Sequence, residues 1–331
     1  MGEAKQCGIT HNVPALSFFT AGTTACLMVV TVILNAVILF TILKSKGSSF
    51  KPMFFKAIFN IALSDLFTGL VVDSLSFNYV LKEGLGLPLS GTEKKLSHIT
   101  FFIFSGVAVI TVGLLSVERL WALIKPFNHL KHKKTWHTAL IAASTWILSI
   151  ALSMSYFKVG FIQCLVVFSC TTVVFSFILM VIMLAVYHRR MILNGKRRGR
   201  YSVTRSDSNC KSLKRLSGKN GLSQAGERRV TKTLLLMLVV FLISYLPTVL
   251  MIVYMNNCTD CNCLLIHAMR DLTYLFVVAG AMLRPINYIL RLRVLRRAIR
   301  RTVKNMCGKN TEDNPKISEV SIKLRSSTEK Q

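Results

Sequence analysis

Long uncharged apolar runs, not alternation, set the pattern of this chain. The run from Ile99 to Val117 contains no charged residue at all. A helix needs about 20 consecutive, mostly apolar residues to cross a bilayer. Seven stretches meet that length: Ala15 to Leu43, Ala57 to Val80, Ile99 to Ile124, Thr138 to Phe157, Val159 to Tyr187, Thr233 to Asn256 and Leu272 to Leu290. Their apolar positions are continuous rather than every second residue, which disfavours the strands of a membrane barrel. The pattern predicts an all-α membrane protein, a seven-transmembrane helix bundle.

Composition agrees with this reading. Of 331 residues 52% are hydrophobic and 17% charged, with a mean hydropathy of +0.49, too apolar for a soluble protein of this length. Charge then adds orientation. Lys and Arg number 42 against 14 Asp and Glu, a net charge of +28. With the N-terminus outside, the basic residues fall mainly in Lys44 to Lys56, Lys125 to Lys134, Arg189 to Lys232 and the tail from Arg291. Outer segments hold only Lys5, Lys82, Lys94, Lys95, Lys158 and Arg270. The positive-inside rule therefore places the N-terminus outside and the C-terminus in the cytoplasm. The same placement accounts for the basic charge without nucleic acid and makes anionic inner-leaflet lipid a partner. No cleavable leader is expected, because the first apolar run is long enough to span and to act as the anchor signal.

Residues 1–19 form the expected extracellular N-terminus and residues 20–290 the helical domain. Within that domain residues 191–226, rich in Lys, Arg, Ser and Gly, are expected to be a disordered cytoplasmic loop. Residues 291–331 complete the chain. There Leu292, Leu295 and Ile299 recur among arginines as a short amphipathic eighth helix on the inner leaflet, and Cys307 beyond it is a palmitoylation candidate. Lys214-Arg215-Leu216-Ser217 has the form a basophilic kinase uses.

Polar residues inside the apolar runs are costly and mark function or pairing. Asn35 in the first run needs a partner, and Asn60 to Leu66 in the second offers one. Asp65 lies near mid-membrane and demands a counter-charge, while Asp73 lies two turns further out. Glu118 and Arg119 stand side by side where the third run reaches the cytoplasmic interface. Pro247 and Pro285 lie inside the sixth and seventh runs, and each frees a carbonyl and supplies a pivot. Cys258, Cys261 and Cys263 crowd the third outer loop, where an intraloop disulfide is expected on the oxidising face, with Cys7 as a further partner. No metal site or cofactor is expected. The membrane runs offer no nucleophile or acid–base cluster to suggest an enzyme.

Taken together these landmarks resemble the rhodopsin-like G-protein-coupled receptors. Asn35, Leu63-Ser64-Asp65, Glu118-Arg119, Trp146, Tyr187, Pro247 and Pro285-Ile286-Asn287-Tyr288 fall in the family's order, one per helix. The resemblance implies a heterotrimeric G protein as partner, an extracellular ligand, and kinases and arrestin acting on the third loop and tail. It implies that Arg119 is bridged to Glu227 at the base of helix six. Activation would swing helix six about Pro247, free Arg119, and bring in Tyr187 and Tyr288.

Departures carry their own expectations. Tyr245 stands where the family usually has tryptophan, and Arg284 where the seventh-helix motif usually opens with asparagine. Family members commonly hold sodium at the second-helix aspartate. Here Arg284 is expected to pair directly with Asp65 and replace the ion, and Ala108 removes a usual hydroxyl. The family's disulfide from the third helix to the second outer loop is impossible, since neither segment has a cysteine. That absence, the minimal second outer loop and the helix five without proline look like the melanocortin, adenosine, cannabinoid and lysophospholipid subgroup. Lys94 and His98, however, stand where melanocortin receptors need acids.

Residues expected to face the outer cavity are Phe101, Phe102 and Ser105 on helix three, Thr248 and Ile252 on helix six, and Arg270, Asp271 and Tyr274 on helix seven. Phe101 replaces the acid of aminergic receptors and Val278 the lysine of opsins. An apolar, aromatic pocket with a basic rim suits a lipid, a small amphiphile or a short peptide. The competing reading is a seven-helix transporter using Asp65 and Arg284, against which stands the lack of internal repeat symmetry.

Overall fold

The computed structural model describes residues 13–44, 53–88, 90–124, 135–203, 211–258 and 262–306, with the backbone alone for 13, 53, 135–138, 194–203, 211–229 and 305–306. The regular elements among them are helices: α1 (Val13–Lys44), α2 (Met53–Phe67), a π-helical turn (Thr68–Asp73), α3 (Ser74–Gly84), α4 (Gly91–Ile124), α5 (Thr135–Ser153), α6 (Tyr156–Val159), α7 (Phe161–Val203), α8 (Lys211–Asn257), α9 (Cys263–Arg291) and α10 (Arg293–Met306). Seven spans are long and apolar enough to cross a membrane, the second built from α2, the π turn and α3. Helix is the form these runs take because a bilayer offers no water to backbone N–H and C=O groups.

Span 1 packs against span 2 and against α9, closing the ring, while α4 lies at the centre and touches spans 2, 4, 5 and 6. In lipid the outward face is apolar, so the inward face is marked by small hydroxyl residues instead. On α1 the buried set includes Ser17, Thr20, Thr24, Thr31, Asn35 and Thr41. On α5 it is Thr145, Ser149 and Ser153, and on α7 Ser169, Thr172 and Ser176. Phe19, Leu43, Ile147 and Val167 are exposed on the same helices, facing the lipid. At one crossing Gly106 of α4 lies directly against Ser149, whose Oγ donates to the Ile103 carbonyl at 2.6 Å.

The π turn has a positional consequence. Residues eight apart on an α-helix diverge by about 80°, yet Asp65 and Asp73 are both fully buried. The wider turn between them returns both carboxylates to the interior. Gly69 within it abuts α1, where a Cβ would lie 2.8 Å from Val32 Cγ2. Gly160, at φ 83°, makes the tight reversal from α6 into α7. Pro247 and Pro285 both sit inside their helices, as read from sequence. On α10 Leu295 and Thr302 are buried and Leu292 before it seals the junction, so this amphipathic helix docks against α1 and α9.

Several boundaries differ from the sequence expectation. Helix α1 begins at Val13, inside the segment read as extracellular; α4 begins at Gly91 and α9 at Cys263, each well before its apolar run. Helix α5 ends at Ser153, and Phe157 belongs to the separate turn α6, with which the fourth span reaches Val159. Helices α7 and α8 run to Val203 and from Lys211, so much of 191–226 is helical backbone rather than disordered loop. Hydropathy marks the thickness of lipid, whereas a helix once nucleated propagates through Lys, Arg, Glu and Gln at little cost.

Candidate functional site

Three polar sites are stacked through the bundle. The innermost is the Glu118-Arg119 step at the end of α4. Arg119 Nη2 is 3.9 Å from Glu118 Oε2 and its guanidinium carbon lies 5.6 Å above the Phe54 ring. Its Nε has no hydrogen-bond partner among the described residues. The Glu227 side chain, expected opposite it, lies outside the described residues. Tyr187 is half-buried on α7.

The middle site is Asp65 with Arg284. Arg284 Nε donates to Oδ2 at 3.0 Å and Nη2 to Oδ1 at 2.5 Å, with both side chains buried. Gly280, one turn before, leaves room for the guanidinium beside Ser244. Phe241 lies under that guanidinium at 5.2 Å, and Tyr245 stacks on Phe241 at 6.1 Å. Tyr288 and Pro285 are buried on α9, and the Tyr288 hydroxyl has no hydrogen-bond partner among the described residues. Asn35 does not join this pair. Its Nδ2 donates to the Thr31 carbonyl of its own helix at 2.9 Å, because Arg284 already takes both oxygens of Asp65. Asn60 likewise turns away from α1. It donates to Thr111 at 2.9 Å and Thr145 at 3.1 Å and accepts from Trp146 Nε1 at 2.9 Å, tying spans 2, 3 and 4 together.

The outer site is a cavity of about 570 Å³. Of the residues expected there, Phe101, Ile252, Arg270, Asp271 and Tyr274 line it. Phe102, Ser105 and Thr248 do not: Phe102 packs on Phe161 and Phe168, Ser105 is buried beside Tyr245, and Thr248 donates to the Ser244 carbonyl. Helices apolar on every side leave their rotation unmarked in sequence, which is why these positions were misjudged.

Arg270 is held by two carboxylates. It donates to Glu83 from Nη1 at 2.8 Å and Nη2 at 2.6 Å, and to Asp271 Oδ1 from Nε at 2.9 Å and Nη2 at 2.8 Å. Thr20 donates to Asp271 Oδ2 at 2.9 Å. His267 Nδ1 is 3.8 Å from Glu83 Oε1. Tyr274 donates to Asp73 Oδ1 at 3.2 Å. Glu83 and Thr20 have no place in the sequence reading, and His98 enters it only as a departure from the melanocortin pattern. Glu83 carried a signal, an acid at the outer end of an apolar run, but nothing in it points to a partner 187 residues away. Cys258 and Cys263 are each disulfide-bonded. Cys261, Cys7 and Cys307 lie outside the described residues.

Rings connect the outer and middle sites. His98 stacks on Phe161 at 3.6 Å; Phe161 meets Phe102 at 5.9 Å, Phe102 meets Phe168 at 5.8 Å, and Phe168 meets Tyr245 at 5.7 Å. Such edge and offset contacts hold ring geometry more strictly than aliphatic packing does.

Seven spans around a cavity, with charges buried in mid-bundle, have the anatomy of a multi-pass membrane protein. The family described as 7 transmembrane receptor (rhodopsin family) matches residues 34–288, and the chain belongs to it. It is a rhodopsin-like G-protein-coupled receptor. The crystal structure of squid rhodopsin matches with a TM-score of 0.71 over 97% of this chain and 94% of that one, at 14% identity. At that identity the likeness is one of fold. No curated protein matches the chain.

Proposed function

We propose that this receptor lies in the plasma membrane with its N-terminus outside, binds its ligand in the outer cavity, and activates a heterotrimeric G protein through Arg119. The observation that carries this reading is the continuity of parts. A cavity of about 570 Å³, within the usual small-molecule range of about 300–1,000 Å³, is joined by packed rings to Tyr245 and the Arg284 guanidinium. Ligand pressing on Phe101 or His98 shifts rings that bear on span 6 around Pro247. The two-state element is that helix, and ligand acts by favouring its outward state. In the inactive state Glu227 holds Arg119; in the active state Tyr187 and Tyr288 close behind the inserted G protein. The basic inner face and α10 adhere to anionic lipid, Cys307 carries an acyl chain, and the third loop and tail receive kinases and arrestin.

A transporter reading is not favoured, because Asp65 and Arg284 satisfy one another and leave no free carboxylate oxygen there to pass an ion. The test is basal cAMP, with Gs and Gi readouts, in cells expressing the wild type and Arg119→Ala at matched surface levels. A basal signal lost in the variant supports coupling and names the subtype. A signal unchanged in the variant overturns the role of Arg119.

A further inference from the structure

The charges around the outer cavity are unequally satisfied. Arg270 looks in sequence like an anion site, yet four of its five N–H groups go to Glu83 and Asp271. Those carboxylates are equally occupied. Both oxygens of Glu83 accept from Arg270, Asp271 Oδ1 accepts twice from Arg270, and Asp271 Oδ2 accepts from Thr20. Among the described residues a cationic ligand would find no carboxylate oxygen on the cavity wall without a hydrogen-bond partner. Asp73 Oδ2, which has no hydrogen-bond partner among the described residues, is fully buried and does not line the cavity.

Lys94 differs from these groups. It lines the cavity from the outer end of α4, and its ammonium lies 6.0 Å from the Tyr79 ring centroid. The neighbouring acid, Glu93, is taken by Lys82 at 2.9 Å. Among the described residues Lys94 has no carboxylate in ion-pair contact. One turn along the same face is His98, and a turn further Phe101, and Leu165, Ile252 and Val277 add apolar lining. Among the described residues the cavity therefore offers, at the outer end of α4, an ammonium without a carboxylate partner, and beyond it a mostly apolar lining in which Thr20, Ser76, Asp271, Thr273 and Tyr274 are among the polar members.

We propose that the cavity selects an amphiphile with an anionic head and an apolar tail, the head held at Lys94 and the tail directed down past Phe101. This rests on the reading of the cavity as the ligand site. The test uses the purified full-length receptor in phosphatidylcholine nanodiscs, with dodecanoate, dodecanol and dodecyltrimethylammonium below their micelle-forming concentrations. Binding is read from the shift in thermal unfolding with concentration. The expected order is dodecanoate above dodecanol above the ammonium. Lys94→Gln lowers dodecanoate affinity about fivefold, the scale of an exposed ion pair, and leaves dodecanol unchanged. Lys94→Arg restores the preference, Lys95→Gln keeps it, and added salt weakens it in the wild type.

A preference for the ammonium, equal binding of all three, no binding by any, or an acid preference surviving in Lys94→Gln each overturns the proposal. None of these outcomes touches G-protein coupling, which the Arg119→Ala signalling experiment reads separately.

Discussion

Arg284 reaches from span 7 to span 2 and covers both carboxylate oxygens of Asp65, Nε to Oδ2 at 3.0 Å and Nη2 to Oδ1 at 2.5 Å. Two opposite charges thus sit at the bundle centre with their strongest hydrogen-bonding directions turned on each other. Removing one partner strands the other in a medium that cannot solvate it, which costs about 3–5 kcal/mol for a buried pair. Arg284→Ala is expected to lower the unfolding temperature of the purified receptor sharply, and Asp65→Asn combined with Arg284→Gln to recover most of the loss. A double variant no better than Arg284→Ala would show that the pair is not the source of the defect.

The same pair predicts how the receptor answers to sodium. With the guanidinium in place Asp65 has no oxygen left for an ion, so unfolding temperatures in sodium chloride and choline chloride should coincide at equal ionic strength. In Arg284→Asn the aspartate is uncovered and sodium should stabilise relative to choline. If wild type and variant behave alike, the guanidinium is not standing in for an ion.

At the outer end, Glu83 and Arg270 make two parallel hydrogen bonds, but the arginine is 36% exposed. Solvent screening brings the expected coupling down to about 1 kcal/mol. A double-mutant cycle with Glu83→Gln and Arg270→Gln, read by thermal unfolding, should return a coupling of that size that shrinks with salt.

Gly106 predicts a packing effect independent of charge. A Cβ there would collide with Ser149 Oγ, so Gly106→Ala should destabilise by about 1–3 kcal/mol, the usual range for overpacking. Adding Ser149→Ala removes the obstructing hydroxyl and should return most of the lost thermal stability. Failure of the second change to rescue would mean that the backbones, not the hydroxyl, set the distance.

Pro247 leaves the Ile243 carbonyl without its helical partner. Pro247→Ala restores an N–H to the helix and should hold or raise thermal stability while lowering ligand-independent and ligand-driven signalling together. A variant signalling at wild-type level would remove this residue as the pivot.

What could be read in the sequence divides along physical lines. The seven spans follow from lipid thickness and hydropathy, and Asp65 with Arg284 follows from the cost of a lone charge in an apolar run. Each is a constraint that acts on a residue regardless of its neighbours. The partners of Arg270 were not legible, because Glu83, 187 residues away, meets it only through tertiary packing. The sequence offers Asn35 a partner in the segment from Asn60 to Leu66 of span 2 and groups it with Asp65 and Arg284. Asn35 instead found a nearer acceptor on its own helix, and Asn60 found its partners on spans 3 and 4. Phe102, Ser105 and Thr248 were placed at the cavity because a helix apolar all round gives no sign of its rotation. That sign lay in the hydroxyl residues, whose spacing at Thr145, Ser149 and Ser153 marks the buried face of α5.

Those hydroxyl seams set two demands on the same positions. A valine in place of Thr24, Thr31 or Thr172 has nearly the same shape and makes its helix more apolar, so the helix should partition into lipid more readily. Yet helices already in lipid gain nothing from hiding apolar surface, and they find one another through small residues and close backbones. Variants of this kind should enter the membrane more efficiently and assemble there less faithfully. Total expression and the fraction of correctly folded receptor would then move in opposite directions.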